Sequence, residues 1–170
     1  LELLEPVAAG DVIVCEAPAI LIHEPPRLAD GDFQELAAHW TSAYAGLSGE
    51  QRAFAASFTG IPESGYDRLS AELPAEVDLF RRVVKINSHK FGADEIAMFE
   101  HISMAAHSCE HNAVYISAQG LGLGRLYAIS DLARGELVTI SYVGSRGCVR
   151  RWPFWKRQEH LARRLGFACR

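Results

Sequence analysis

A chain of 170 residues has the length of one domain and can bury a hydrophobic core without help from disulfides. No uninterrupted apolar run approaches the roughly 18 residues that cross a bilayer, and mean hydropathy is near zero, so no membrane span is expected and the protein reads as soluble. The net charge of -4 hides an asymmetry: residues 146–170 hold Arg146, Arg150, Arg151, Lys156, Arg157, Arg163, Arg164 and Arg170 against Glu159 alone, leaving an acidic body with a basic tail.

Such a tail suits an amphipathic helix with a solvated basic face, while nucleic acid or an acidic partner stays open as a binder. The cysteines, Cys15, Cys109, Cys148 and Cys169, lie far apart with no C-x-x-C pair, and no signal peptide leads the chain. This pattern predicts a reducing, intracellular compartment, nucleus or cytoplasm.

In chain order, Val7 to His23 holds apolar β-rich runs broken by Gly10 and Pro18, which predicts short strands within residues 1–30. From 31 to 84 the pattern becomes helical, with Ala, Leu, Phe and Trp at helical spacing and breaks at Gly46, Gly60, Pro62, Gly65 and Pro74. Ser48 and Gln51 have capping-box spacing. Residues 85–145 return to strand signals, with Val114–Ser117, Arg125–Ile129 and Leu137–Tyr142 expected as hairpin-linked strands. In the last of these Val138, Ile140 and Tyr142 would share a face. Residues 146–170 should form a helix from about Trp152 to Leu165, with Pro153 in its first turn, apolar contacts from Trp152, Trp155, Leu161 and Leu165, and Gly166 as its stop.

The run Met104-Ala-Ala-His-Ser-Cys-Glu-His-Asn-Ala113 is too polar for a plain core element, so its side chains need partners. Residue types alone leave three readings open. His107, Cys109 and His111 could hold a metal, Cys109 could be a nucleophile, or the run could be a packed loop. The glycine run Gly120–Gly124 lacks the following helix and lysine of a phosphate loop and is read as a hairpin turn. His23, His39, His89, His101 and His160 have no supporting constellation, and Cys15 and Cys148 are expected to be buried or half-buried.

His107-Ser-Cys-x-x-Asn112, followed by Asp131-Leu-Ala-Arg-Gly-Glu-Leu-Val-Thr-Ile-Ser-Tyr142, resembles the paired signature of the SET-domain protein-lysine methyltransferases. Ile86-Asn-Ser-His-Lys-Phe91 and Leu47 to Phe54 are similar to segments of the SET and MYND subgroup, although no MYND cysteine cluster is visible. The likeness covers nearly the whole chain, least specifically from Gly31 to Phe80. It implies a mainly β fold of small sheets with a pseudoknot-like core, a helical insert, a C-terminal helix and a truncated post-SET segment ending at Arg170.

The resemblance further implies S-adenosylmethionine as methyl donor and a lysine-containing protein as substrate. Tyr142 matches the active-site tyrosine, His107 lines the donor pocket, and Asn87 and Phe167 match donor-contacting positions. Cys109 and Cys169 match two of four cysteines that hold a structural zinc. Ala106 stands where the family has a donor-binding asparagine, His111 replaces a proline, Leu137 replaces a glutamate, and no Gly-x-Gly precedes Leu3. Two functions are therefore expected to compete: methyl transfer to protein lysine, and a degenerate SET domain that binds a protein partner without catalysis.

Overall fold

The structure, a computed structural model, describes residues 1–25, 33–60, 68–143 and 152–169. Cys148 and the basic residues Arg146, Arg150, Arg151 and Arg170 lie outside them. The chain forms two compact units, Pro18–Met98 and the pair Leu1–Ala17 with Phe99–Arg170. Among the described residues no helix is long and apolar enough to cross a membrane.

In the Pro18–Met98 unit, β2 (Ile20–His23), β4 (Glu95–Met98) and β3 (His89–Lys90) make an antiparallel sheet in that order. Strand alternation buries Ile20 and Ile22 and exposes Leu21 and His23. The helical insert is α1 (Phe33–Ala45), α2 (Gly49–Ala56), a 3-10 turn (Arg68–Glu72) and α3 (Ala75–Asn87). It runs three residues past the expected end at Val84, stopping where Ser88 turns to extended backbone. Ser48 and Gln51 do form the capping box: Ser48 Oγ accepts from the Gln51 N–H at 3.1 Å, and Gln51 Oε1 accepts from the Ser48 N–H at 3.0 Å. On α3, Val77, Phe80, Val83 and Val84 repeat at helical spacing and join Ile20, Ile22, Trp40 and Met98 in one core.

Two titratable groups in this unit stand out, Asp78, which was not singled out from sequence, and His89. Burial pushes the Asp78 carboxyl up, but hydrogen bonds from Arg81 and Ser70, with the Arg81 and Arg82 charges, outweigh it and hold the group below its ordinary range. His89 also departs from the ordinary polar role expected of it, since desolvation pushes its imidazole down to about 4 and keeps it neutral.

In the other unit, β1 (Val12–Glu16), β7 (Leu123–Ala128) and β6 (Ala113–Ala118) form an antiparallel sheet in that order. β6 and β7 are the expected hairpin, closed by a 3-10 turn at Gln119–Leu121 and by Gly122 at φ +68°. Cys15 was expected to be at least half-buried; it is instead exposed, between the half-buried Val14 and Glu16 of β1. The Glu16 carboxylate accepts from the N–H groups of His101 and Ile102 at 2.9 and 2.7 Å, capping the turn Ile102–Met104.

The expected strand Leu137–Tyr142 is corrected in length and pairing. Only β8 (Thr139–Ile140) is strand, and it pairs in parallel with β5 (Ala106–His107) instead of closing a hairpin. The reason lies in the backbone bonds on its other flank: Val138 N–H donates to Leu1 O at 2.9 Å, Leu3 N–H to Glu136 O at 3.1 Å, and Val7 exchanges both bonds with Leu132. The 132–140 segment thus lies between residues 1–7 and β5, the pseudoknot-like arrangement that the resemblance implied. Val138 and Ile140, two of the residues expected to share a face, are both buried.

The C-terminal helix α4 (Phe154–Leu165) starts after Pro153 and stops at Gly166, whose φ of +75° suits a glycine. Leu161 is fully buried, but Trp155 is 65% exposed and does not supply the expected apolar contact. Six residues from Leu161, it projects about 120° round the helix from that face.

Gly124 lies inside β7 for a packing reason separate from the turn. A Cβ there would fall 2.6 Å from Cε1 and Cζ of Phe99, a ring with no exposed surface. Gly124→Ala is therefore expected to cost about 2 kcal/mol through overpacking, read as a lower urea midpoint, whereas Gly120→Ala, with open space around it, should leave the midpoint near that of the parent.

Candidate functional site

The two signature segments meet through backbone pairing and one side chain. β5 and β8 align Ala106 with Thr139 and His107 with Ile140, and Ser108 N–H continues the ladder to Ile140 O at 3.1 Å. Asn112 then clamps the approach to β8. Its amide nitrogen donates to Leu137 O at 2.9 Å and to Glu136 Oε1 at 3.1 Å, while its Oδ1 accepts from the Thr139 N–H at 2.8 Å. Glu136 in turn accepts from Ala133 N–H at 3.0 Å. Asparagine fits because one planar group must donate and accept at once.

Tyr142 follows β8 directly and is held at both ends. Its backbone N–H donates to His107 Nδ1 at 3.0 Å, and its hydroxyl donates to Ala105 O at 2.6 Å. Burial raises the phenol above its ordinary range, so the hydroxyl keeps its proton. Phe167, just beyond α4, brings its ring centroid 5.8 Å from that of His107 and 6.2 Å from that of Tyr142, and the His107 and Tyr142 rings are 5.3 Å apart. Three of the residues singled out from sequence therefore form one aromatic cluster. Burial, followed by the charges of His111 and Arg157, lowers the His107 imidazole below its ordinary value despite an opposing backbone bond at Ile140.

Beside this cluster lie two thiols. Cys109 Sγ is 3.5 Å from His107 Nε2, and ligand atoms of His107, Cys109 and Cys169 all fall within 4.8 Å of one another. Gln158 of α4 anchors the tail segment by accepting from Cys169 N–H at 2.8 Å. Desolvation first, then the neighbouring Cys169 thiol, push the Cys109 thiol up, against a hydrogen bond and charge from Arg157. Two adjacent sulfurs fit part of a structural zinc site, which takes its thiols as thiolates. His111, entertained as a ligand from sequence, is not in this group.

Two other expected site residues have the following surroundings. Ala106 is exposed and has no polar side chain to offer. Asn87 belongs to the Pro18–Met98 unit, where its amide nitrogen donates to Val83 O at 2.8 Å and Thr59 O at 3.0 Å, closing the end of α3. Missing from the sequence reading were Ala105, whose backbone carbonyl receives the Tyr142 hydroxyl, and the tether from Gln158. A carbonyl acceptor leaves no mark in residue types. Asn112 did leave one, as the last residue of the first signature segment.

Comparison with solved structures shows the fold. The crystal structure of the SET domain of LSMT bound to lysine and AdoHcy superposes with a TM-score of 0.50 over 97% of this chain, at 12% identity. The protein has a SET-domain fold, made of small sheets, a helical insert and a C-terminal helix. The chain spans about half of that structure, 49% of its length. No family model matches the sequence, and no curated protein does.

The clamp predicts a measurable cost. Asn112→Ala should lower unfolding free energy by about 2 kcal/mol, because it leaves Leu137 O and the Thr139 N–H without their partner. Asn112→Asp should be no better at neutral pH, since it sets a carboxylate against Glu136 and Leu137 O, but it should recover in acid as that group protonates. Urea titrations at both pH values read the difference.

Proposed function

We propose that this SET domain transfers a methyl group from S-adenosylmethionine to the side-chain amine of a protein lysine, in the manner of the SET and MYND subgroup. The observation that carries the reading is the fixing of Tyr142 at both its backbone and its hydroxyl within the ring cluster of His107 and Phe167. The two signature segments that supply Tyr142 and His107 are the ones that resemble the family. LSMT, the neighbour in fold, holds lysine and AdoHcy in its structure.

S-adenosylmethionine supplies an electrophilic methyl when bound. What the chain must provide is a neutral amine pointed at it, although free lysine has a pKa of about 10.4. Aromatic walls from Tyr142, His107 and Phe167 disfavour the ammonium by desolvation and leave a lone pair to be aimed. The Tyr142 proton is committed to Ala105 O, so the oxygen that remains for a substrate is an acceptor. It orients an amine N–H or balances developing positive charge, and takes no part as a base. Zinc held by Cys109 and Cys169 together with further thiolates would pin the Phe167 segment at the cluster through Cys169, two residues on.

The second reading is a SET domain that binds a protein partner without catalysis. It is favoured by Ala106, which offers no side-chain amide at the family's asparagine position, and by Asn87, whose amide nitrogen already serves Val83 and Thr59. Calorimetric titration of S-adenosylmethionine separates the two readings, and absence of binding would leave the second.

Tyr142→Phe should cut turnover on the order of 100-fold while leaving donor affinity near the parent value, because it deletes one hydroxyl and keeps the ring. Unchanged initial rates with an authentic substrate would remove Tyr142 from the mechanism. Ala106→Asn is expected to tighten donor binding about fivefold, the equivalent of one net hydrogen bond. Equal titration curves for parent and variant would show that the pocket lacks the family geometry at this position.

A further inference from the structure

The side of α4 turned away from the core carries cations beside a tryptophan. Lys156, His160 and Arg163 project within about 60° of one another round the helix, away from the fully buried Leu161. Among the described residues these three, with Trp152 and Glu159, line a cavity of about 370 Å³. Trp152 forms its aromatic wall: the Lys156 ammonium stands 4.7 Å from the indole centroid, and the His160 ring meets the indole edge-on at 5.5 Å. Arg157 donates to the Trp152 carbonyl at 2.9 Å and ties the tryptophan to the first turn of the helix. Lys156 and Glu159 are exposed, and the Arg163 side chain is 80% exposed, 3.7 Å from the Glu159 carboxylate. An ion pair that open to solvent holds its arginine weakly.

We propose that this face of α4 binds single-stranded nucleic acid, with a base stacked on Trp152 and backbone phosphates held by Lys156 and Arg163. The basic tail of the sequence left nucleic acid and an acidic partner open, and the aromatic wall favours the first. An indole beside flexible cations suits such a strand, because every base has a π-face and every nucleotide a phosphate. In the free protein Lys156 covers the indole itself. A base that takes its place releases the ammonium to the neighbouring phosphate, so stacking and charge pairing are gained in one exchange. Trp155, 65% exposed and one residue before Lys156, is a second surface for stacking. A membrane is a poorer fit, since an interfacial helix inserts its apolar face and that of α4 is already packed in the core at Leu161. An acidic peptide would pair with the cations and leave the indole without a flat partner.

Fluorescence anisotropy on the full chain tests this without any methyl-transfer assay. The probes are labelled oligo(dT), the same strand annealed to oligo(dA), and labelled polyglutamate, with vesicles of phosphatidylcholine and phosphatidylserine sedimented in parallel. Oligo(dT) should bind about tenfold more tightly than the duplex, and more tightly than polyglutamate or vesicles. Trp152→Ala should weaken oligo(dT) about tenfold and leave the salt slope of log affinity unchanged, while Trp152→Phe, which keeps a ring, should stay within about threefold of the parent. Lys156→Gln and Arg163→Gln should each lower the slope by about 0.7, the share of one phosphate contact. Glu159→Gln should tighten binding about twofold, because it frees Arg163 and removes a charge that repels phosphate. No binding of oligo(dT), a duplex bound as tightly as the single strand, or equal affinity in the parent and Trp152→Ala would overturn the proposal. Tighter binding of polyglutamate or of vesicles would overturn it in favour of an acidic protein or a membrane. Should Trp152→Ala lower the urea midpoint, the glutamine variants of the exposed Lys156 and Arg163 decide, and slopes equal to that of the parent would overturn it.

Discussion

The pairing of the 132–140 segment on both of its flanks is the constraint on which the candidate site depends. On one flank Leu1, Leu3 and Val7 take up backbone groups of Val138, Glu136 and Leu132; on the other, β5 and the Asn112 amide take up those of β8 and Leu137. A buried backbone group without a partner is costly, so the segment has little freedom to slide or rotate. Tyr142 comes two residues after Ile140, at the end of this doubly held stretch. Its position is therefore a consequence of main-chain bonding completed before the tyrosine is reached, and the His107 and Ala105 bonds finish the placement.

Much of this was legible in the sequence because local chemistry and tertiary structure agree there. Ser48 and Gln51 cap α2, Gly166 stops α4, and the alternation of Ile20 and Ile22 marks a strand face. The signature segments were legible as a pair, and the fold brings them side by side. Less legible was the direction of pairing. Leu137–Tyr142 has the composition of a hairpin strand, yet parallel pairing with β5 depends on residues more than thirty positions away, which composition does not encode. Trp155 shows a similar limit: a tryptophan at helical spacing reads as core, and only the angle from Leu161 turns it to solvent.

The site residues divided along the same line. His107, Tyr142 and Phe167 converge as rings, and Cys109 and Cys169 converge as thiols, although Phe167 and Cys169 come from the far end of the chain. Asn87 is occupied at the end of its own helix. What the sequence could not show was the state of each hydrogen. Whether a tyrosine hydroxyl gives or receives follows from neighbours such as Ala105 O. Such details turn a set of residue types into distinguishable chemical roles, with an acceptor oxygen left at Tyr142.

The threading of residues 132–140 between the first residues of the chain and β5 also bears on the order of assembly. Leu1 and Val138 are bonded across most of the chain's length, and the length-dependent part of closing such a loop is about 4 kcal/mol. The β6 and β7 hairpin, by contrast, closes locally and meets no such barrier. Early contacts in this unit will therefore be hairpin contacts, and the platform for Tyr142 will be a late acquisition. A chain halted before that last threading step would keep much of its β-structure and expose the edge of β5, with its thiol-bearing loop unsupported, to any neighbouring chain that offers a strand.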